Sequence, residues 1–232
     1  MPHEISDPSR TLVMACATVI EEMLPLLPPG MQHKIFDFGL HVYPDKLRRT
    51  LQEAVDAVSG QYDTVILGYG MCSQAIVGLK ANGCRLVVPR VDDCIAIFLG
   101  SRTAYNTQSR AEPGTYYLTK GWIEVGDTPF SEYERTIQRH GKERAERLFK
   151  LMLGNYKRLA LINTGQYELE NYRDYARRTA EKFGLRYEEI EGSDTLVRKM
   201  LYGPWDDEFV VIEAGESFTL RQFLGQSQEA AA

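Results

Sequence analysis

The chain has 232 residues, 44% of them apolar and 25% charged, an ordinary composition for a globular protein with one large or two small domains. Lys and Arg number 27 against 32 Asp and Glu, a net charge of −5, which gives no support for a nucleic-acid binder with a clustered basic face. No apolar stretch approaches the roughly 20 residues that span a bilayer, and the four cysteines read as reduced thiols or ligands rather than a disulfide framework.

Residues 1–10 are polar, and the apolar run after them carries Glu21 and Glu22 before Pro25, Pro28 and Pro29 break it. That is not a secretory signal, so a cytoplasmic protein away from membranes is the expectation. Residues 11–16 form a first predicted strand. Thr18 with Glu21 fits a capping box, which starts a helix right after Cys16. Residues 34–38 are a second strand. His41 follows it, and Pro44 opens a helix to about Val58, with Leu47, Leu51, Ala54, Val55 and Val58 on one face.

Residues 63–67 are a third strand, running into Gly68-Tyr69-Gly70-Met71-Cys72, and 73–80 read as a helix. The fourth strand lies within 83–89. It leads through Arg90-Val91-Asp92-Asp93-Cys94 into an apolar helix over 95–99.

Between 101 and 155 the pattern changes. Residues 102–110 are polar, and 115–119 read as an edge or connecting strand ahead of Gly121-Trp122. Ser131 with Glu134 forms another capping box, and Gly141 separates two helices. Strands over 158–162, 186–190 and 208–212 then alternate with helices over about 168–183 and 195–201, Gly184 stopping the longer one.

This alternation predicts an α/β protein: two Rossmann-like lobes with mainly parallel sheets facing a central cleft. The first lobe spans 10–100 and the second 156–225, with 101–155 as a bridging, helical segment. One continuous mixed sheet is the competing arrangement.

Parallel strands deliver their last residues to one edge of a sheet, where ligands bind in open α/β folds. Cys16, His41, Cys72 and Cys94 all fall just beyond predicted strand ends, and thiolate and imidazole donors suit zinc or an iron–sulfur cluster. Their wide separation, with no CxxC or HxxxH pair, argues against a zinc finger. Cys84 falls at the start of a strand, on the opposite edge, and reads as packing. Packing is also the competing reading for each other cysteine alone.

Three protein ligands would leave zinc an open position for a thiol or water. His41, Arg90 and Asp93 are the candidate acid/base or substrate-orienting groups. For Asp92 or Asp93 a helix cap is an equally good account. Gly68 and Gly70, with Tyr117 and Trp122, are candidate cofactor-binding residues. The two glycines lack the rest of a GxGxxG or P-loop pattern. Tyr116, Tyr117 and Trp122 fit a flat ligand or, equally, cover for a core.

Cys16 after the first strand, His41 before Pro44, the 68–72 and 89–94 stretches, and Gly114-Thr115-Tyr116-Tyr117-Leu118-Thr119 with Gly121-Trp122 carry a resemblance. Together they resemble the bacterial and archaeal family called domain of unknown function 1638, over about residues 12–215. The resemblance implies an association with corrinoid-dependent methyl transfer in anaerobes. The expected function is therefore a zinc protein of one-carbon metabolism, either a metal-dependent methyltransferase or an accessory protein, activating a thiol or methyl acceptor. Its partner would be a small molecule or a corrinoid methyl-transfer protein. The second expectation is a non-catalytic carrier of a corrinoid, tetrapyrrole or iron–sulfur cluster.

Overall fold

In the computed structural model, which describes residues 7–71, 74–126 and 128–224, the run Thr11–Cys16 becomes β1, buried along its whole length. A strand with both faces covered has no polar face, which is why its sequence does not alternate. β2 (Gln32–Phe36) and β3 (Thr64–Gly68) flank it in parallel, and β4 (Arg85–Pro89) continues the parallel set beside β3. β5 (Thr115–Leu118), β6 (Arg158–Asn163) and β7 (Arg186–Glu191) make a second, all-parallel sheet. The fold is therefore mixed α/β, with one mostly parallel five-stranded sheet and one three-stranded sheet.

The last strand departs from the expected pattern. β8 (Phe209–Ile212) does not extend the second sheet; it pairs antiparallel with β4 in the first. Its preceding helix, α9 (Thr195–Tyr202), buries Leu196, Val197, Met200 and Leu201 in the core of that first sheet. Helix and strand thus return together, which strand spacing alone does not show.

Helices follow the apolar spacing closely. α2 (Pro44–Ala57) buries Leu47, Leu51, Ala54 and Val55, and α8 (Glu170–Phe183) ends on Gly184 at φ 67°. Four local expectations are corrected. α1 (Ala17–Met23) is capped at Cys16, so Thr18 lies inside the helix and makes no capping box with Glu21. α6 (Pro129–His140) is capped by Thr128, which accepts a hydrogen bond from the Ser131 amide; α7 (Lys142–Leu153) follows. A ten-residue helix, α4 (Arg102–Ala111), occupies the stretch read only as polar.

The fourth correction concerns 73–80. Residues 74–80 form turns, with Gln74 at φ 65° and Gly78 at φ 91°. Their backbone pairs instead with the segment after β8. The Gly78 amide donates to Phe218 O at 2.8 Å and the Phe218 amide to Leu79 O at 2.9 Å. A helix would have consumed those donors and acceptors internally.

Two apolar cores result. The larger surrounds the five-stranded sheet; the smaller packs α6, α7 and α8 around β5 and β6. Trp122, on the short helix α5 (Lys120–Glu124), packs against both. Among the described residues no helix is long and apolar enough to cross a membrane.

Candidate functional site: an aromatic cavity with two thiols

The carboxyl ends of β1, β3 and β4, and the turn after β2, open onto a cavity of about 370 Å³. Cys16 reaches it as the last residue of β1, His41 from the turn Phe38–Val42, and Asp93 and Cys94 from the start of α3 (Cys94–Phe98). The second sheet contributes Thr115, Tyr116 and Tyr117 on β5, with Trp122 just beyond it. Of the residues marked out in the sequence, Cys16, His41, Asp93, Cys94, Tyr117 and Trp122 thus share one cavity. Cys72 lies outside the described residues.

Backbone contacts set the shape of this edge. The Met71 amide donates to Val91 O at 2.8 Å, tying the exit of β3 to the exit of β4. Gly68 and Gly70 do not line the cavity. A Cβ on Gly68 would stand 2.5 Å from the Ala15 Cβ, and one on Gly70 would stand 2.8 Å from the Asp93 Cα. Their role here is close approach of chains. Arg90 also stays outside the lining and donates to Phe209 O at 3.3 Å across to β8.

Asp93 caps α3 by accepting from the Ile95 amide at 2.9 Å. Burial pushes its carboxyl above the usual carboxylate range, and Tyr105, beside it, is pushed up to about 12, chiefly by burial. The capping account is therefore shown, and the same side chain also lines the cavity. Cys16 is 9% exposed and contacts the Thr18 hydroxyl at 3.4 Å; burial raises its thiol.

His41 Nδ1 lies 2.5 Å from Phe38 O. A carbonyl only accepts, so Nδ1 is the donor in this contact and Nε2 is the nitrogen left for another partner. Holding a ring in this way is the usual support for a metal-binding imidazole. Among the described residues, however, no group of three or more His, Cys, Asp or Glu side chains is arranged to hold a metal ion. The donor types fit zinc, but the described donors stand around the cavity rather than converging on a point. Cys84, buried at the amino end of β4, is pushed up to about 11 by burial and by Asp56.

Sequence reasoning missed most of the aromatic lining. Phe38, Tyr69, Tyr105 and Tyr156 join the cavity from four different segments. Tyr105 was hidden because its segment was not read as a helix; the amphipathic spacing of α4 carries that signal. Glu22 was missed as well. It is 2% exposed on α1 and accepts a hydrogen bond from Thr164, at the end of β6.

These features define a mixed α/β protein with an aromatic, thiol-bearing cavity at the carboxyl edge of a parallel sheet. Residues 35–201 match the family described as "Protein of unknown function (DUF1638)", and the chain belongs to that family. No curated protein and no solved structure matches the chain significantly.

Proposed function

We propose that this chain is a thiolate-based metal protein of one-carbon metabolism, taking a small methyl donor or acceptor into the aromatic cavity. Cys16, His41 and Cys94 would hold the metal with Cys72, and zinc is the metal that best suits two or three sulfurs and one imidazole. The supporting observation is that Cys16, His41 and Cys94 arrive at one cavity from three separate strand ends. In this reading the two sheets act as two lobes that hold the ligand between them.

The chain's own groups supply the rest. Phe38 O holds the His41 ring through Nδ1 and leaves Nε2 as the nitrogen that would meet the metal. Burial raises the Cys16 thiol, so a cation beside it is what would favour the thiolate. The aromatic walls would displace water around a bound ligand. Bound zinc would supply Lewis acidity for activating a thiol or water in the cavity. The methyl-transfer setting, beside a corrinoid methyl-transfer protein, rests on the resemblance of the cysteine-bearing stretches, and the cytoplasmic setting on the polar start of the chain.

A carrier for a corrinoid or tetrapyrrole is the second reading. A cavity of about 370 Å³ favours the small ligand, because pockets for small molecules span roughly 300–1,000 Å³ and a macrocycle needs the upper end. Metal and sulfide content of protein purified without oxygen tests the proposal. Stoichiometric zinc that is lost in Cys16→Ser, Cys72→Ser and Cys94→Ser but kept in Cys84→Ser supports it. Equal metal in all four variants overturns it.

A further inference from the structure

We propose that the cavity selects a small methylated ammonium compound that also carries a hydrogen-bond acceptor. The inference deepens the reading above, since it uses the same cavity and names the methyl-bearing ligand.

Three observations carry it. The first is ring orientation. Phe38 meets Trp122 at 4.8 Å and 77°, Tyr116 meets Trp122 at 6.4 Å and 83°, and Tyr116 meets Tyr156 at 5.4 Å and 70°. Phe38 and His41 cross at 55°, and Tyr105 and Tyr117 at 51°. Neighbouring rings of the lining thus stand at steep angles to one another rather than stacked in parallel. Rings facing a space from several directions instead enclose a rounded group, and a methylated ammonium is attracted by each ring face.

The second is charge. Asp92 and Asp93 line the cavity, and no Lys or Arg is among the described lining residues. Asp92 is engaged by Arg102 at 3.2 Å, outside the lining. Asp93 carries no such ion pair among the described residues; its carboxyl accepts from the Ile95 amide through Oδ1 and is also hydrogen-bonded by the Tyr105 hydroxyl, neither of which neutralises its charge. Its carboxylate is the natural complement to a cation that cannot itself donate a hydrogen bond. An anionic ligand would meet carboxylates with no facing cation.

The third is a buried donor. Trp122 Nε1 is buried with no hydrogen-bond partner among the described residues. An unsatisfied buried N–H is costly unless something accepts from it. A hydroxyl or carboxylate oxygen on the ligand would do so, while the methyl groups sit among the rings.

Calorimetric titration of the full chain, with metal content measured on the same sample, tests this. The probes are choline, tetramethylammonium, the neutral carbon isostere of choline in which a tert-butyl group replaces trimethylammonium, and indole as a flat neutral control. Choline should bind at least about fivefold more tightly than its isostere, and Asp93→Asn should erase most of that preference. Asn caps a helix as well as Asp does, so this variant keeps α3. Trp122→Phe, which keeps a ring but removes Nε1, should weaken choline more than tetramethylammonium. Equal affinity for choline and its isostere, tighter binding of indole, or no binding of choline overturns the inference. Metal-free protein that still prefers choline would sink only the metal reading, and zinc-loaded protein without that preference would sink only this one.

Discussion

The Thr164 hydroxyl donates to Glu22 Oε2 at 2.5 Å, a buried bond between a helix of the five-stranded sheet and the residue just past the end of a strand in the other sheet. Beside it Lys120 pairs with Glu21 at 2.6 Å, partly exposed. The buried bond sits between the two sheets and therefore reports on how they are joined.

Glu22 is pushed up to about 7, chiefly by burial and against the pull of Thr164 and Lys120. Its other oxygen has no partner among the described residues. A carboxyl whose folded value is raised binds its proton more tightly in the folded state. Its contribution to stability is complete below the unfolded value near 4.5 and is lost as pH rises to about 7. Urea denaturation should show stability falling across that window by up to roughly 3 kcal/mol. Glu22→Gln, which still accepts from Thr164, should flatten the dependence and be the more stable protein at pH 8. An unchanged pH profile in that variant would refute the assignment.

Metal should stabilise the fold in proportion to its hold on these donors. A hundredfold excess of zinc over its dissociation constant is worth about 2.7 kcal/mol to the folded state. The melting temperature of wild type and of Cys84→Ser should rise on zinc addition, and that of Cys16→Ser or Cys94→Ser should rise less. Thermal scans with and without a chelator check this, and identical shifts in all four proteins would count against a shared site.

Arg158 is buried at 2% exposure and donates to Thr115 Oγ1 at 2.8 Å, Glu188 at 3.1 Å and Gln108 Oε1 at 3.1 Å. It thus pins β5, which carries Tyr116 and Tyr117, to its neighbours. Arg158→Met removes three hydrogen bonds from partly buried partners, although Glu188 keeps Arg186 at 2.7 Å. A loss of roughly 2–3 kcal/mol in denaturant titration is expected, together with weaker choline binding as β5 loosens. Stability equal to wild type would show that Arg158 is merely tolerated there.

Much of this site is legible in the residues themselves. β1 is written as an unbroken apolar run ending in Cys16, and parallel strands necessarily bring their ends to one edge, so Cys16, His41 and Cys94 group together on sequence alone. What fails is whatever depends on distant partners. β8 reads like any strand, but its place beside β4 is decided by α9 packing on the first sheet. Residues 74–80 have helical composition, yet 78–81 pair with 215–218. The aromatic lining comes from segments far apart in the chain, and nothing local marks Tyr69, Tyr105 and Tyr156 as neighbours of one cavity.

Gly70 gives the sharpest test of how the cavity is held. A Cβ there would lie 2.8 Å from Asp93 Cα, 2.9 Å from its N and 3.0 Å from its C, all backbone atoms that have no rotamer in which to yield. Gly70→Ala must therefore separate the exit of β3 from the start of α3, at a cost of roughly 1–3 kcal/mol. The displaced Asp93 would weaken both its cap on α3 and its place in the cavity wall. Gly30→Ala is the comparison: Gly30 sits at φ 87°, and a Cβ there would meet nothing within 4 Å, so its replacement strains only its own turn. Both variants should unfold at lower urea than wild type, Gly70→Ala through its clash with Asp93 and Gly30→Ala because alanine resists a positive φ. Only Gly70→Ala should also lose choline affinity in calorimetry. If it binds choline as wild type does, the approach of Gly70 to Asp93 serves packing and not the cavity.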